Sequence, residues 1–163
     1  MMSTRYPAGA LPARPALDAE RLWSGGAATA VVAAATALVG FLIARGLFGI
    51  PVLAPAEDGA WGTASVPAYA LAAAGAALLA TAILHLLIAF TPTPYLFFGW
   101  LMGLSIVAGV VAPFISGAET SAKVATAAIN LAIGAAIWSL VASSAGNAIR
   151  AAALEGRPPP SAV

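Results

Sequence analysis

Residues 67–117 read PAYALAAAGAALLATAILHLLIAFTPTPYLFFGWLMGLSIVAGVVAPFISG and carry no formal charge. They form two apolar runs separated by the four-residue turn Thr91-Pro92-Thr93-Pro94. Each run exceeds the ~20 residues that carry a helix across a ~30 Å hydrocarbon core. The turn is long enough only to send the chain straight back. The stretch therefore predicts a membrane helical hairpin, and the flanking sequence adds one helix on each side. The expected fold class is all-α, an integral membrane bundle of four antiparallel transmembrane helices, with spans at about 23–47, 68–90, 95–116 and 122–148.

Composition agrees. Of 163 residues, 61% are hydrophobic and 8% charged, and the mean hydropathy is +0.95. A soluble domain carries about a quarter charged residues, so this chain would expose apolar surface on every side in water. The net charge of +1 provides no basic field for nucleic acid. Cysteine is absent, which removes disulfides and thiolate metal sites.

Upstream, residues 1–21 read as a polar, flexible tail broken by Pro7, Pro12 and Pro15, with a helix expected to start near Ala16 at the membrane surface. The first span starts near Trp23 and closes at Arg45. A cleaved signal peptide competes with it, since Ala35-Thr36-Ala37 resembles a cleavage site. The apolar run continues through Leu38, Val39, Phe41, Leu42 and Ile43, which fits an uncleaved anchor better. Residues 46–66, rich in Gly and Pro, predict an ordered non-helical loop. Its Ile50, Val52, Leu53 and Trp61 are expected against the membrane surface, with Trp61 and Tyr69 in an interfacial aromatic belt.

The second span opens with Ala and Gly, which favour close helix approach in lipid. The third begins with Tyr95, Phe97, Phe98 and Trp100, and Pro113 should kink or end it. The fourth continues toward Leu154, and residues 156–163 read as a disordered tail. With four spans both termini share a side. Arg5, Arg14, Arg21, Arg150 and Arg157 lie there, against Arg45 and Lys123 opposite, so the positive-inside rule predicts cytoplasmic termini in the plasma membrane.

The Gly49-Ile50-Pro51-Val52-Leu53-Ala54-Pro55 segment, the small-residue second span, the Thr-Pro turn and the Pro113-containing third span resemble a family of small actinobacterial four-span membrane proteins, a domain-of-unknown-function family. The resemblance covers about residues 25–150. It implies an integral membrane protein and no particular reaction. Many members carry a His-Leu pair in the fourth span, where this chain has Asn130-Leu131.

The candidate intramembrane polar site is His85, Asn130 and Ser139. His85 is the only histidine, and an ionisable residue within a span is a functional candidate by default. Haem ligation would need a second chain or Met102, and no Cys, Asp or Glu shares the bilayer for a metal. No cofactor, metal or catalytic residue is therefore expected. The bland alternative is a neutral histidine bonded to a neighbouring helix. At ~1.5 Å per residue, His85 lies roughly 9 Å from one helix end and Asn130 roughly 12 Å from the opposite side, about 10 Å apart in depth. Trp138 and Ser139 lie nearer, and Ser139 is the expected partner of His85. Asn130 reads as interhelical glue. Gly99 and Gly103 form a GxxxG pair, expected to pack helices within the chain in preference to a dimer seam. Arg45, Glu57 and Asp58 read as a solvated charge cluster.

The function expected is non-enzymatic: an accessory or envelope component acting through helix packing with membrane lipids, a membrane protein partner or a homo-oligomer. A small oligomeric transporter or channel is the alternative. Such a pathway needs several inward polar groups, and His85, Asn130, Thr81, Ser105, Thr126 and Ser139 are sparse for one protomer.

Overall fold

The computed structural model describes residues 19–55 and 61–155. Helix α1 (Ala19–Phe41) runs on into a six-residue π-helix, Leu42–Leu47. Strands β1 (Leu53–Pro55) and β2 (Trp61–Thr63) follow, then α2 (Val66–Phe90) and α3 (Pro94–Val111). A 3-10 turn, Ala112–Ile115, extends α3, and α4 spans Thr120–Glu155. All four helices are long and apolar enough to cross a membrane. Helix α1 begins at Ala19, so the last residues expected in the N-terminal tail are helical. The rest of that tail, the C-terminal tail and the Glu57–Asp58 pair lie outside the described residues.

Proline sets the helix starts. Pro67 sits in the first turn of α2 and Pro94 opens α3, where the missing N–H is one the helix would leave unbonded anyway. At the end of α2, Thr91 turns extended, and its N–H and hydroxyl both donate to the Leu87 carbonyl. At the end of α1, Phe48 N donates to Ile43 O, the wider π spacing, and Gly49 leaves the helix at φ +66°. That left-handed conformation suits glycine.

The helices pair antiparallel around α1. Gly25 of α1 stands against Ser144 of α4 and Gly40 against Ile129, so the two helices run in opposite directions. Gly26 stands against Thr81, and Phe41 meets Tyr69, which runs α2 opposite to α1. Gly99 faces Trp138 while Gly109 faces Asn130, which does the same for α3 and α4. The core along these contacts is built of small residues with a few large ones: Ala33, Ala37 and Ala77 beside Leu22, Leu84, Phe98 and Val141. In lipid no hydrophobic force drives helices together, so this close packing is what holds them.

The long connection is more structured than a loop. Leu53 pairs with Thr63, Ala54 with Gly62 and Pro55 with Trp61 in a small antiparallel hairpin. Its base enters the protein instead of resting on the membrane: Val52, Leu53 and Ala64 are buried. Leu53 N donates to the Thr126 hydroxyl at 2.9 Å, and that hydroxyl donates in turn to Ala122 O. One threonine thus pins the hairpin to α4. Thr126→Val keeps the volume and orphans the Leu53 N–H, and we expect a loss of about 1–2 kcal/mol. Hydrogen exchange at the hairpin amides, faster in the variant, is the check.

Candidate functional site

Polar side chains inside the spans meet at one place. Asn130, in α4, accepts a hydrogen bond from the Tyr69 hydroxyl of α2 through its Oδ1, while its Nδ2 donates to Gly109 O of α3 at 2.7 Å. Tyr69 in turn sets its ring edge-on to Phe41 of α1, with centroids 5.4 Å apart and planes at 67°. One asparagine and one tyrosine therefore join all four helices.

The Gly109 carbonyl is available for a covalent reason. In an α-helix it would accept from the N–H of residue 113, and residue 113 is Pro, which has none. Helix α3 tightens into its 3-10 turn here, and Asn130 supplies the missing donor. Helix α4 packs directly on this turn: a Cβ at Gly109 would lie 3.8 Å from Asn130 Cβ, an ordinary contact.

Most other hydroxyls in the spans stay within their own helix. Thr29, Thr36, Thr81, Thr126, Ser139, Ser143 and Ser144 each donate to a carbonyl three or four residues back. Ser105 of α3 makes no hydrogen bond among the described residues.

Ser105 and Asn130 share a cavity of about 350 Å³ between α2, α3 and α4. Helices α2 and α3 pack far less extensively on each other than α1 does on α2, which leaves room for it. Leu79, Ile83, Met102 and Ile133 give it apolar walls. A second groove, about 670 Å³, runs along α1 and α4 between Val32, Val39, Ile43, Phe48 and Ile129. Its lining is aliphatic and aromatic, the surface that acyl chains cover.

The expected site residues do not assemble. The His85–Ser139 bond does not form: Ser139 is exposed and donates to Ala136 O of its own helix. Trp138 stands beside Gly99. The Nδ1 of His85 is buried and without a partner among the described residues. Asn130 joins neither His85 nor Ser139 and belongs to the Tyr69 cluster. Tyr69 was expected in the interfacial belt, and the structure turns it inward. At the opposite end of the bundle Trp23, Tyr95, Phe97 and Trp100 are exposed, while Phe98 enters the core. The Gly99–Gly103 pair does not make the close helix crossing expected of it, since Gly99 has one ordinary contact and Gly103 none within 4 Å. The tight crossings are at Gly25, Gly26, Gly40 and Gly134.

A buried nitrogen without a partner weakens a fold. His85→Leu should therefore leave the unfolding free energy unchanged or raise it, by up to about 1–2 kcal/mol. A marked loss of stability would show that His85 has a bonded partner in the membrane.

Four apolar antiparallel helices tied by an intramembrane asparagine define a multi-pass membrane protein. The chain belongs to the family of unknown function DUF6069, whose model matches residues 17–147. No curated protein and no solved structure matches it.

Proposed function

We propose that this protein is a non-enzymatic component of the plasma membrane, with both termini cytoplasmic, that acts by packing its helices against lipid and protein partners. The Asn130 cluster carries this reading. The Asn130 amide, with Tyr69 and the Gly109 carbonyl, ties helices to one another. What remains outward is apolar surface. Helix α3 is the least covered, burying 17% of its most apolar stretch against 28–33% for the other three. Leu96, Trp100, Leu104 and Val107 project from it. In lipid such a face gains a partner through shape and small residues, and Gly103 leaves room there. Arg21 at the start of α1 and Arg150 near the end of α4 lie at one end of the bundle, the end the positive-inside rule assigns to the cytoplasm.

Native mass spectrometry of protein gently extracted from its own membrane is the test. A co-purifying protein or a defined lipid supports the accessory role. A homo-oligomer with nothing bound favours the small transporter or channel. A C-terminal green fluorescent protein fusion that stays dark would reverse the orientation.

A further inference from the structure

We propose that the cavity between α2, α3 and α4 binds a neutral, headgroup-free, lipid-soluble molecule bearing a carbonyl acceptor, of the chemistry of a quinone ring on its alkyl tail. Such a site can operate whether or not a partner protein packs on α3, so it goes beyond the packing role.

Size and lining come first. Its ~350 Å³ falls within the range of about 300–1,000 Å³ typical of small-molecule sites, which are mostly apolar with a few placed polar groups. Here those polar groups are Ser105 and Asn130.

The hydrogen-bond inventory then sets the ligand's polarity. An asparagine amide has two N–H donors. One is spent on Gly109 O, and the bond from Tyr69 to Oδ1 fixes which way the amide faces. The second N–H is unspent. Ser105 differs from the neighbouring hydroxyls in bonding to no carbonyl of its own helix. The unspent Asn130 N–H can only donate, and the Ser105 hydroxyl, which can also accept, has a proton to place; a donor left without a partner in hydrocarbon is costly. A ligand that contributes acceptors relieves that cost, whereas a pure hydrocarbon does not.

Depth narrows the class further. Ser105 stands midway along the Pro94–Ile115 span, about 15 Å from either end at 1.5 Å per residue. The ester carbonyls of a phospholipid are tied to a headgroup at the interface and do not reach that level. A headgroup-free ring carrying carbonyls does.

The test uses the full chain in phosphatidylcholine nanodiscs titrated with a short-tailed ubiquinone. Tryptophan quenching is the readout, because Trp138 adjoins the cavity residue Ile137. An alkylbenzene of equal tail length serves as the carbonyl-free competitor. Saturable quenching is expected, weakened about three- to tenfold by Ser105→Ala, the loss of one hydrogen bond, and restored by Ser105→Thr. Ala76→Phe fills the cavity from its exposed edge and should leave only the linear quenching of the bilayer. Quenching that is linear in the wild type, or identical in all variants, overturns the proposal. So does an alkylbenzene that competes as well as the quinone. Each variant's unfolding midpoint is measured alongside, so that a folding defect is not read as lost binding.

Discussion

Gly25→Ala and Gly26→Ala are each expected to destabilise the bundle by about 1–3 kcal/mol, the usual cost of forcing a methyl group into closed packing. The two neighbours fail against different helices. A Cβ at Gly25 would stand 2.5 Å from Ser144 Oγ and 2.6 Å from Ser144 Cβ. The hydroxyl could rotate away, but Cβ is fixed to the α4 backbone, so α1 and α4 must separate. A Cβ at Gly26 would stand 2.6 Å from both branches of Thr81. Thr81 is fully buried and β-branched, and its hydroxyl is held on Ala77 O, so its χ1 is restricted and turning it gives up that bond. Normal carbon contacts lie at about 3.5–4.0 Å, and the required shift is a sizeable fraction of an ångström on both sides of α1. Gly75→Ala is the opposite case. Nothing lies within 4 Å of its added Cβ, and alanine should stabilise that helix position by about 0.5–1 kcal/mol. Unfolding in mixed micelles, followed by tryptophan fluorescence, should therefore move in opposite directions at residues 26 and 75. Equal responses at both would mean that α1 is not wedged between α2 and α4.

That contrast also shows what the sequence could and could not convey. Length, apolarity and the Thr-Pro turn specify four spans, because crossing a bilayer constrains each segment independently of the others. Packing depends on how each helix is rotated, which spacing does not encode. Gly99 and Gly103 have the familiar GxxxG separation, yet the close approaches fall at glycines outside it, chosen by whichever side chain lies opposite. A shared depth places His85 and Ser139 on one level without turning them toward each other. Ser139 faces outward and bonds to its own helix. The role of Tyr69 is hidden for a related reason: a tyrosine near a helix end fits the interfacial belt, and its contacts with Asn130 and Phe41 lie on other helices. One part of the site was nonetheless readable. A proline at 113 frees the carbonyl four residues earlier in any α-helix, so Gly109 could have been marked as an acceptor in search of a donor. Asn130 is the side-chain amide that reaches it.

The same pairing yields a prediction about coupling. Asn130→Ala removes the acceptor of the Tyr69 hydroxyl and the donor to Gly109 O, and we expect a loss of about 2–4 kcal/mol, since two groups are left without partners away from water. Tyr69→Phe removes one bond and leaves Asn130 on Gly109, so it should cost less than half as much. Pro113→Ala tests the origin of the arrangement. The new backbone N–H at 113 can bond Gly109 O within α3, as in an unbroken helix. In that background the carbonyl no longer depends on α4, and Asn130→Ala should cost about 1 kcal/mol less than in the parent, within the range of coupling seen between groups that share a partner. The single Pro113→Ala change does not predict this by itself, because proline removal also alters the 3-10 turn and the packing of a buried ring; the cycle cancels those terms. Strict additivity would mean that the asparagine bond and the missing helix bond are unrelated. Coupling of the expected sign would mean that a break in one transmembrane helix is completed by a side chain of another, with Asn130 placed to make that bond.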